Sequence, residues 1–300
     1  MSTKVYLPVN LSYFNYNACA ASAGIIANSK FNGHYWFINN CTQLLVKKNE
    51  QSDIFEILIP MASPWHLPFS SEEVYYTKLI KSSFHSLVKN LLNTFHYIYF
   101  WGADSCIVFN NKEKFFLDGL IVGYDDAMLS YSIVLIENGL IKQKEIGQEE
   151  LFDAIYSINS ESNNMIHAFY IDHDVEYRLD LNVIKEGLKD YINPKTDEKN
   201  QYSGIYIYDM IQDHCITEKE FNSIYPGFLE HKMAMYKRIL IVEDCIINNN
   251  RYYSKSYKKL LSKIKNINTN KLDFLTLCKE CEIDIINGII HRIDDIKTAF

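Results

Sequence analysis

The stretch that most limits what this 300-residue chain can become is Tyr16-Asn-Ala-Cys19-Ala-Ala-Ser-Ala-Gly-Ile-Ile-Ala-Asn28. Apart from Tyr16 and two isoleucines its side chains are small, so a helix formed here lets a sheet or a substrate backbone approach closely. Asn15 or Asn17 can cap that helix, which puts Cys19 in the first turn. There the unpaired backbone N–H groups and the positive end of the helix dipole favour a thiolate. The same residues also suit a small thiol packed into a core, since free cysteine is among the most buried residue types.

With 48% hydrophobic and 14% aromatic residues, the chain has material for one large core or two modest ones. The first ten residues lack the basic start and apolar run of a signal peptide. No segment reaches the about 18 apolar residues of a membrane span, so a cytoplasmic location without membrane association is expected. Seven cysteines without a paired framework read as free thiols. A formal net charge of -7 argues against nucleic acid as a partner. One region departs from that balance, because Arg251 to Lys265 holds six basic residues and no acid, and Lys232, Lys237 and Arg238 precede it. Such a run is either a solvated helical face or a docking site for a small acidic partner. No glycine-rich phosphate loop is present.

Hydrophobic periodicity predicts an entering strand at Val5–Asn10, the cysteine helix, a short strand at Ile54–Ile59 and a rigid loop at Pro64–Pro68. A helix is expected over Ser71–Thr94. Then the period changes. Tyr97–Trp101, Ser105–Phe109, Leu120–Val122 and Tyr131–Ile136 read as successive strands of an antiparallel sheet, followed by a helix opening at Gly147 and a strand at Met165–Ile171. Beyond Asn182 the patterns are helical, with Asn193–Gln201 a polar excursion. The expected class is α+β, with a core over residues 1–175 and a helical region over 176–300.

A cysteine-bearing helix ahead of a distant antiparallel sheet is the layout of papain-like enzymes, in which a sheet-borne His activates the thiol and an Asp or Asn orients the His. The segments Phe115–Asp126 and Tyr131–Gly139 and the acid-started helix after them resemble the cysteine-peptidase-like family typified by the N-terminal domain of butirosin biosynthesis protein H. Tyr202–Asp209 and Leu229–Arg238 are similar to the helical half of relatives found beside nonribosomal-peptide genes. The resemblance covers about residues 5 to 245.

What the resemblance implies is a papain-like fold and a thiol-dependent acyltransferase, making an amide in peptide-type natural-product biosynthesis. Cys19 would take an acyl group from a phosphopantetheine thioester on an acyl carrier protein and pass it to a small amine or peptidyl substrate, without a cofactor or metal. A homodimer is left open. A cysteine hydrolase and a catalytically silent binding or immunity protein are the alternatives on the same fold. Where the family pattern places the activating His, this chain has Leu117 followed by Asp118. The base then comes from His96 or His34, or Asp118 takes the polar role, or the chemistry is absent. Cys278–Cys281 reads as helix packing, Asp172–Asp174 as a polar turn, and Cys41, Cys106, Cys215 and Cys245 as core.

Overall fold

The structure, a computed structural model, describes residues 3–10, 14–48, 55–76, 81–110, 112, 115–137, 140–157, 165–195, 201–213, 217–246, 251–266 and 274–297. Its elements open with β1 (Lys4–Tyr6), α1 (Ala18–Asn28), α2 (Tyr35–Asn40), β2 (Leu45–Lys48) and β3 (Phe55–Leu58). Next come β4 (Ser70–Tyr76), α3 (Lys81–Asn93), β5 (Tyr97–Asp104), α4 (Ser105–Phe109), β6 (Phe116–Asp125), β7 (Ser130–Glu137), β8 (Leu140–Gly147), α5 (Gln148–Tyr156) and β9 (Met165–Ile171). After α6 (Leu181–Ile192) and β10 (Gln201–Ser203), the chain continues as α7 (Ile207–Asp213), α8 (Glu218–Ile246), α9 (Tyr252–Ile264) and α10 (Phe274–Lys297). The class is α+β, with antiparallel sheets.

Two compact units share the chain, Met1–His34 with Ala62–Tyr177 and Tyr35–Met61 with Arg178–Phe300. The expected boundary near residue 175 lies close to the third crossing point, between Tyr177 and Arg178, but residues 35–61, expected in the core, belong to the other unit. Residues 35–61 join the helical unit because β2 pairs with both β3 and β10, a strand more than a hundred residues away in sequence.

In the first unit the sheet runs β4-β9-β5-β6-β7-β8, with β1 alongside β6. β5 is built of Tyr97-Ile-Tyr-Phe-Trp101, aromatic and β-branched residues that suit a strand buried on both faces. α1 lies against β6 and β7 on one face, while α3 and α5 cover the other, where Phe84 meets Phe152 with ring centroids 5.4 Å apart. The edge strand β8 carries Lys142, Lys144 and Glu145, charges that oppose pairing with another chain.

Two of the expected elements differ in the structure. The helix expected from Ser71 begins only at Lys81. Ser70–Tyr76 is instead a strand in unbroken register with Met165–Ile171, so cross-strand pairing overrides the helical spacing of its apolar residues. Ser105–Phe109, expected as a strand, is one helical turn, because the Asp104 carboxylate accepts the Cys106 N–H at 2.9 Å and caps it. The strand Leu140–Gly147 is an addition that the local pattern does not announce.

The second unit gathers its buried charges at helix ends and at one carboxylate. Arg238, 1% exposed, donates Nε to Ile38 O at 2.6 Å and Nη2 to Phe37 O at 2.8 Å, meeting the carbonyls of the six-residue α2. Glu243 accepts the N–H groups of Tyr253 and Ser254 at 2.6 and 2.8 Å, a carboxylate at the positive end of α9. Glu282 on α10 accepts Lys232 Nζ from α8 at 2.8 Å, the Tyr208 hydroxyl from α7 at 2.7 Å and the Tyr257 hydroxyl from α9. The Lys232 ammonium also donates to the Tyr191 hydroxyl of α6, so one ion pair ties five helices together. Lys232 and Arg238 therefore do not belong to a basic surface. Lys255, Lys258, Lys259 and Lys265 do, standing exposed on or just after α9.

Candidate active site

Asn17 caps α1 as expected, its side chain accepting the Ala20 N–H at 2.7 Å. The helix from Ala20 to Ala27 is wholly buried, and Cys19 at its front is partly exposed. That combination follows from the small residues, which let the helix sit down on the sheet while its first turn looks out. Residues 62–66 run beside this turn, with Pro64–His66 forming a short 3-10 turn.

Asp118 stands on β6, on the face that carries α1. Phe100 pairs with Gly119 and Ala103 with Leu117, so Trp101 and Gly102 both oppose Asp118 in a β-bulge. Gly102 holds φ at 64°, a left-handed conformation that glycine adopts without strain, and its N–H donates to Asp118 Oδ1 at 2.9 Å. The bulge thus turns a backbone donor onto the carboxylate. Leu117, at the family's histidine position, points the other way and is buried.

Tyr99 of β5 pairs with Leu120, two residues beyond Asp118, which places both side chains on one face. Burial is the main force acting on these three groups. It raises the Cys19 thiol above its usual value; the neighbouring Ser63 hydroxyl acts against that shift, and the Asp118 charge adds to it. It also raises the Asp118 carboxyl, against the Gly102 N–H and the nearby Tyr99 hydroxyl. Tyr99 is held protonated by burial and then by the charges of Asp118 and Cys19. The three groups form one electrostatic cluster, a thiol beside a carboxyl of weakened acidity and a neutral phenol.

Aromatic rings wall the cluster. Trp65 stacks on Trp101 with centroids 5.6 Å apart and planes 19° apart, and Tyr99 meets Trp101 edge-on at 4.9 Å. Trp65 donates its indole N–H to Glu72 at 2.6 Å, and the same carboxylate oxygen engages His167 Nδ1. His167 is paired across the strands with Tyr99. Tyr99, Trp65, Trp101 and the Glu72–His167 pair were not among the residues singled out from sequence. Their only sequence signal is the aromatic density of Tyr97–Trp101 and the proline-bounded Trp65.

The structure brings Cys19 and Asp118 together and leaves His96 elsewhere. The His96 ring contacts Thr94 Oγ1 at 3.0 Å and Tyr170 at 5.4 Å between centroids, on the exposed turn before β5. His34 is partly buried, and burial lowers its basicity. Asp172–Asp174 is a polar turn in which Asp172 accepts the Asp174 N–H at 2.9 Å. Cys41 and Cys278 are buried, their thiols pushed up to about 12 and about 11 by burial. Cys245 is exposed and Cys106 half-buried, so neither is the core thiol expected. Cys215 and most of the Asn193–Gln201 excursion lie outside the described residues. Among the described residues no helix is long and apolar enough to cross a membrane.

No protein-family model and no curated protein matches this chain. Any functional reading is therefore carried by these side chains and the resemblance noted above.

Proposed function

We propose that this chain is a thiol-dependent acyltransferase of papain-like fold, forming an amide from a carrier-protein thioester and an amine. The observation that carries the reading is the setting of Cys19, partly exposed in the first turn of α1 and coupled to Asp118 on the facing strand. A thioester is already activated, so the thiol need not be as nucleophilic as one that cleaves amides. As Cys19 attacks, Asp118 takes the thiol proton, and burial suits it for that by weakening its acidity. The donor's thiol leaves with that proton; when the amine attacks, Asp118 accepts the proton the amine loses and returns it to the Cys19 sulfur as the bond from that sulfur to the acyl carbon breaks. The rings of Trp65 and Trp101 beside the cluster limit water, which favours the amine over hydrolysis. The exposed lysines of α9 are complementary to an acidic carrier protein.

A specific observation favours a second reading, a silent binding protein on the same architecture. Burial and the Asp118 charge both raise the Cys19 thiol, and Leu117 supplies no base. The two readings separate when the purified chain is given the acetyl thioester of N-acetylcysteamine, with and without an excess of a primary amine such as benzylamine. An acyltransferase gives the amide, a hydrolase gives acetate in both cases, and a binding protein consumes no thioester.

A further inference from the structure

A cavity of about 380 Å³ opens in the first unit at the far end of α1 from Cys19, with Pro8, Ser29, Phe95, Tyr97, Tyr170 and His173 in its wall. The eleven residues of α1 put it about 16 Å from the thiol, so it is a separate place on the molecule. Phe95 is the residue there that packing does not explain. α3 closes with the Phe95 N–H donating to Leu92 O at 3.1 Å and the His96 N–H to Leu91 O at 2.9 Å, the paired bonds of a Schellman end. That end needs a left-handed residue, and Phe95 holds φ at 62°, where glycine is the usual occupant and a bulky side chain is strained. Phe95 is also 67% exposed, and Tyr170 on the same cavity 41%. Strain and an exposed ring return nothing to the fold, and such outliers gather at ligand sites.

The charge at the cavity favours a cation. α1 is closed by Ser29 and α3 by Phe95, so two helix C-termini, each the negative end of a dipole, reach its wall. Exposed Asp172 and Asp174 flank His173. The nearby Lys30 ammonium is buried and donates to Asp172 O at 2.7 Å, which fixes the turn that presents His173. The wall's Tyr97 and Ser29 hydroxyls are spent on the protein, donating to Pro8 O at 2.7 Å and Ile26 O at 2.6 Å, which leaves mainly ring faces for a ligand. We propose that this cavity binds a small aromatic ammonium ion, its ring against Phe95 and Tyr170 and its charge toward the acidic turn and the helix ends. The site is independent of the acyl-transfer reading and stands whether or not Cys19 is acylated.

Phenethylamine, phenethyl alcohol and phenylacetate share a ring and differ in charge. Titrated into the parent at pH 8 and followed by NMR, the amine should bind with a dissociation constant of about 1 mM or tighter, the alcohol at least about fivefold more weakly and the acid more weakly still. Phe95→Gly restores the residue that a Schellman end prefers, so it should weaken the amine at least about tenfold while the melting temperature stays equal or rises. Asp174→Asn should weaken the amine about threefold and leave the alcohol unchanged. Cys19→Ala should leave all three affinities as they are. No binding of the amine below about 10 mM, equal binding of the three compounds, or a Phe95→Gly protein that binds like the parent overturns the proposal. A melting temperature several degrees lower in Phe95→Gly assigns the ring to the fold and overturns it too. Loss of binding in Cys19→Ala would put the amine at the thiol instead, and a dimeric parent made monomeric by Phe95→Gly would give the face to a second copy of the chain.

Discussion

Replacing Glu282 by Gln keeps the shape of the side chain that joins five helices and removes its charge. Lys232 and Glu282 are both wholly buried, and the Lys232 ammonium would be left with the Tyr191 hydroxyl and the rings of Tyr208, Phe228 and Tyr191, whose centroids lie 4.6, 4.8 and 5.0 Å away. Breaking a buried pair by removing one partner costs about 3–5 kcal/mol. The structure sets a ceiling on that cost, because Lys232 can always escape by giving up its proton, and burial already pushes it in that direction. Releasing a proton from an ordinary amine of pKa 10.5 costs about 5 kcal/mol at pH 7 and about 2 kcal/mol at pH 9, at about 1.4 kcal/mol per pH unit. The expected penalty is therefore about 3–5 kcal/mol at pH 7, shrinking to about 2 kcal/mol at pH 9. Lys232→Met should show no such relief at pH 9, since it leaves a carboxylate held by two tyrosine hydroxyls. Urea denaturation of both variants at the two pH values measures this. A Glu282→Gln penalty below about 1 kcal/mol at pH 7, or one that does not shrink at pH 9, would mean that Lys232 does not depend on the Glu282 charge for its burial.

Asp118→Asn should move two rates at Cys19 in opposite directions. Iodoacetamide alkylation should quicken because the like charge that raises the thiol is gone, while thioester acylation should fall about a hundredfold for want of a proton acceptor; two rates moving together contradict that. His231 is buried and donates to Thr42 O at 2.7 Å, and burial followed by the neighbouring Lys232 charge holds its basicity well below 6.5. The unfolded chain therefore binds a proton that the folded chain refuses below about pH 6.5, so stability should fall there by up to about 1.4 kcal/mol per pH unit. His231→Gln should flatten that slope in urea denaturation. Lys258→Glu with Lys259→Glu should weaken binding of an acidic carrier protein at low salt and much less at high salt, checked by titration at two ionic strengths.

How much of this was legible in the sequence follows from how local each feature is. The α1 helix, its Asn17 cap and the position of Cys19 are written in adjacent residues, and the structure keeps them. Ser70–Tyr76 was not legible, because its partner Met165–Ile171 is about ninety residues away and its own apolar spacing suits a helix. The same holds for Leu45–Lys48, which depends on Gln201–Ser203. Asp118 could be marked as a candidate from its place after Leu117, but the Gly102 donor that engages it exists only through the bulge. Tyr99 reads as one more core aromatic of Tyr97–Trp101, and nothing local tells its hydroxyl from the others. Lys232 and Arg238 show the opposite failure, since a count of charge places them on a surface while the helix partners bury them.

The proposed chemistry depends on uptake of the acyl group by Cys19. Incubating the parent and Cys19→Ala with the acetyl thioester of N-acetylcysteamine, digesting both and finding the acetyl group by peptide mass measures that uptake. An acetyl thioester is expected on the peptide containing Cys19, released by an added amine and absent from Cys19→Ala. Acetylation confined to the exposed Cys245, or equal thioester consumption by both proteins, would contradict it.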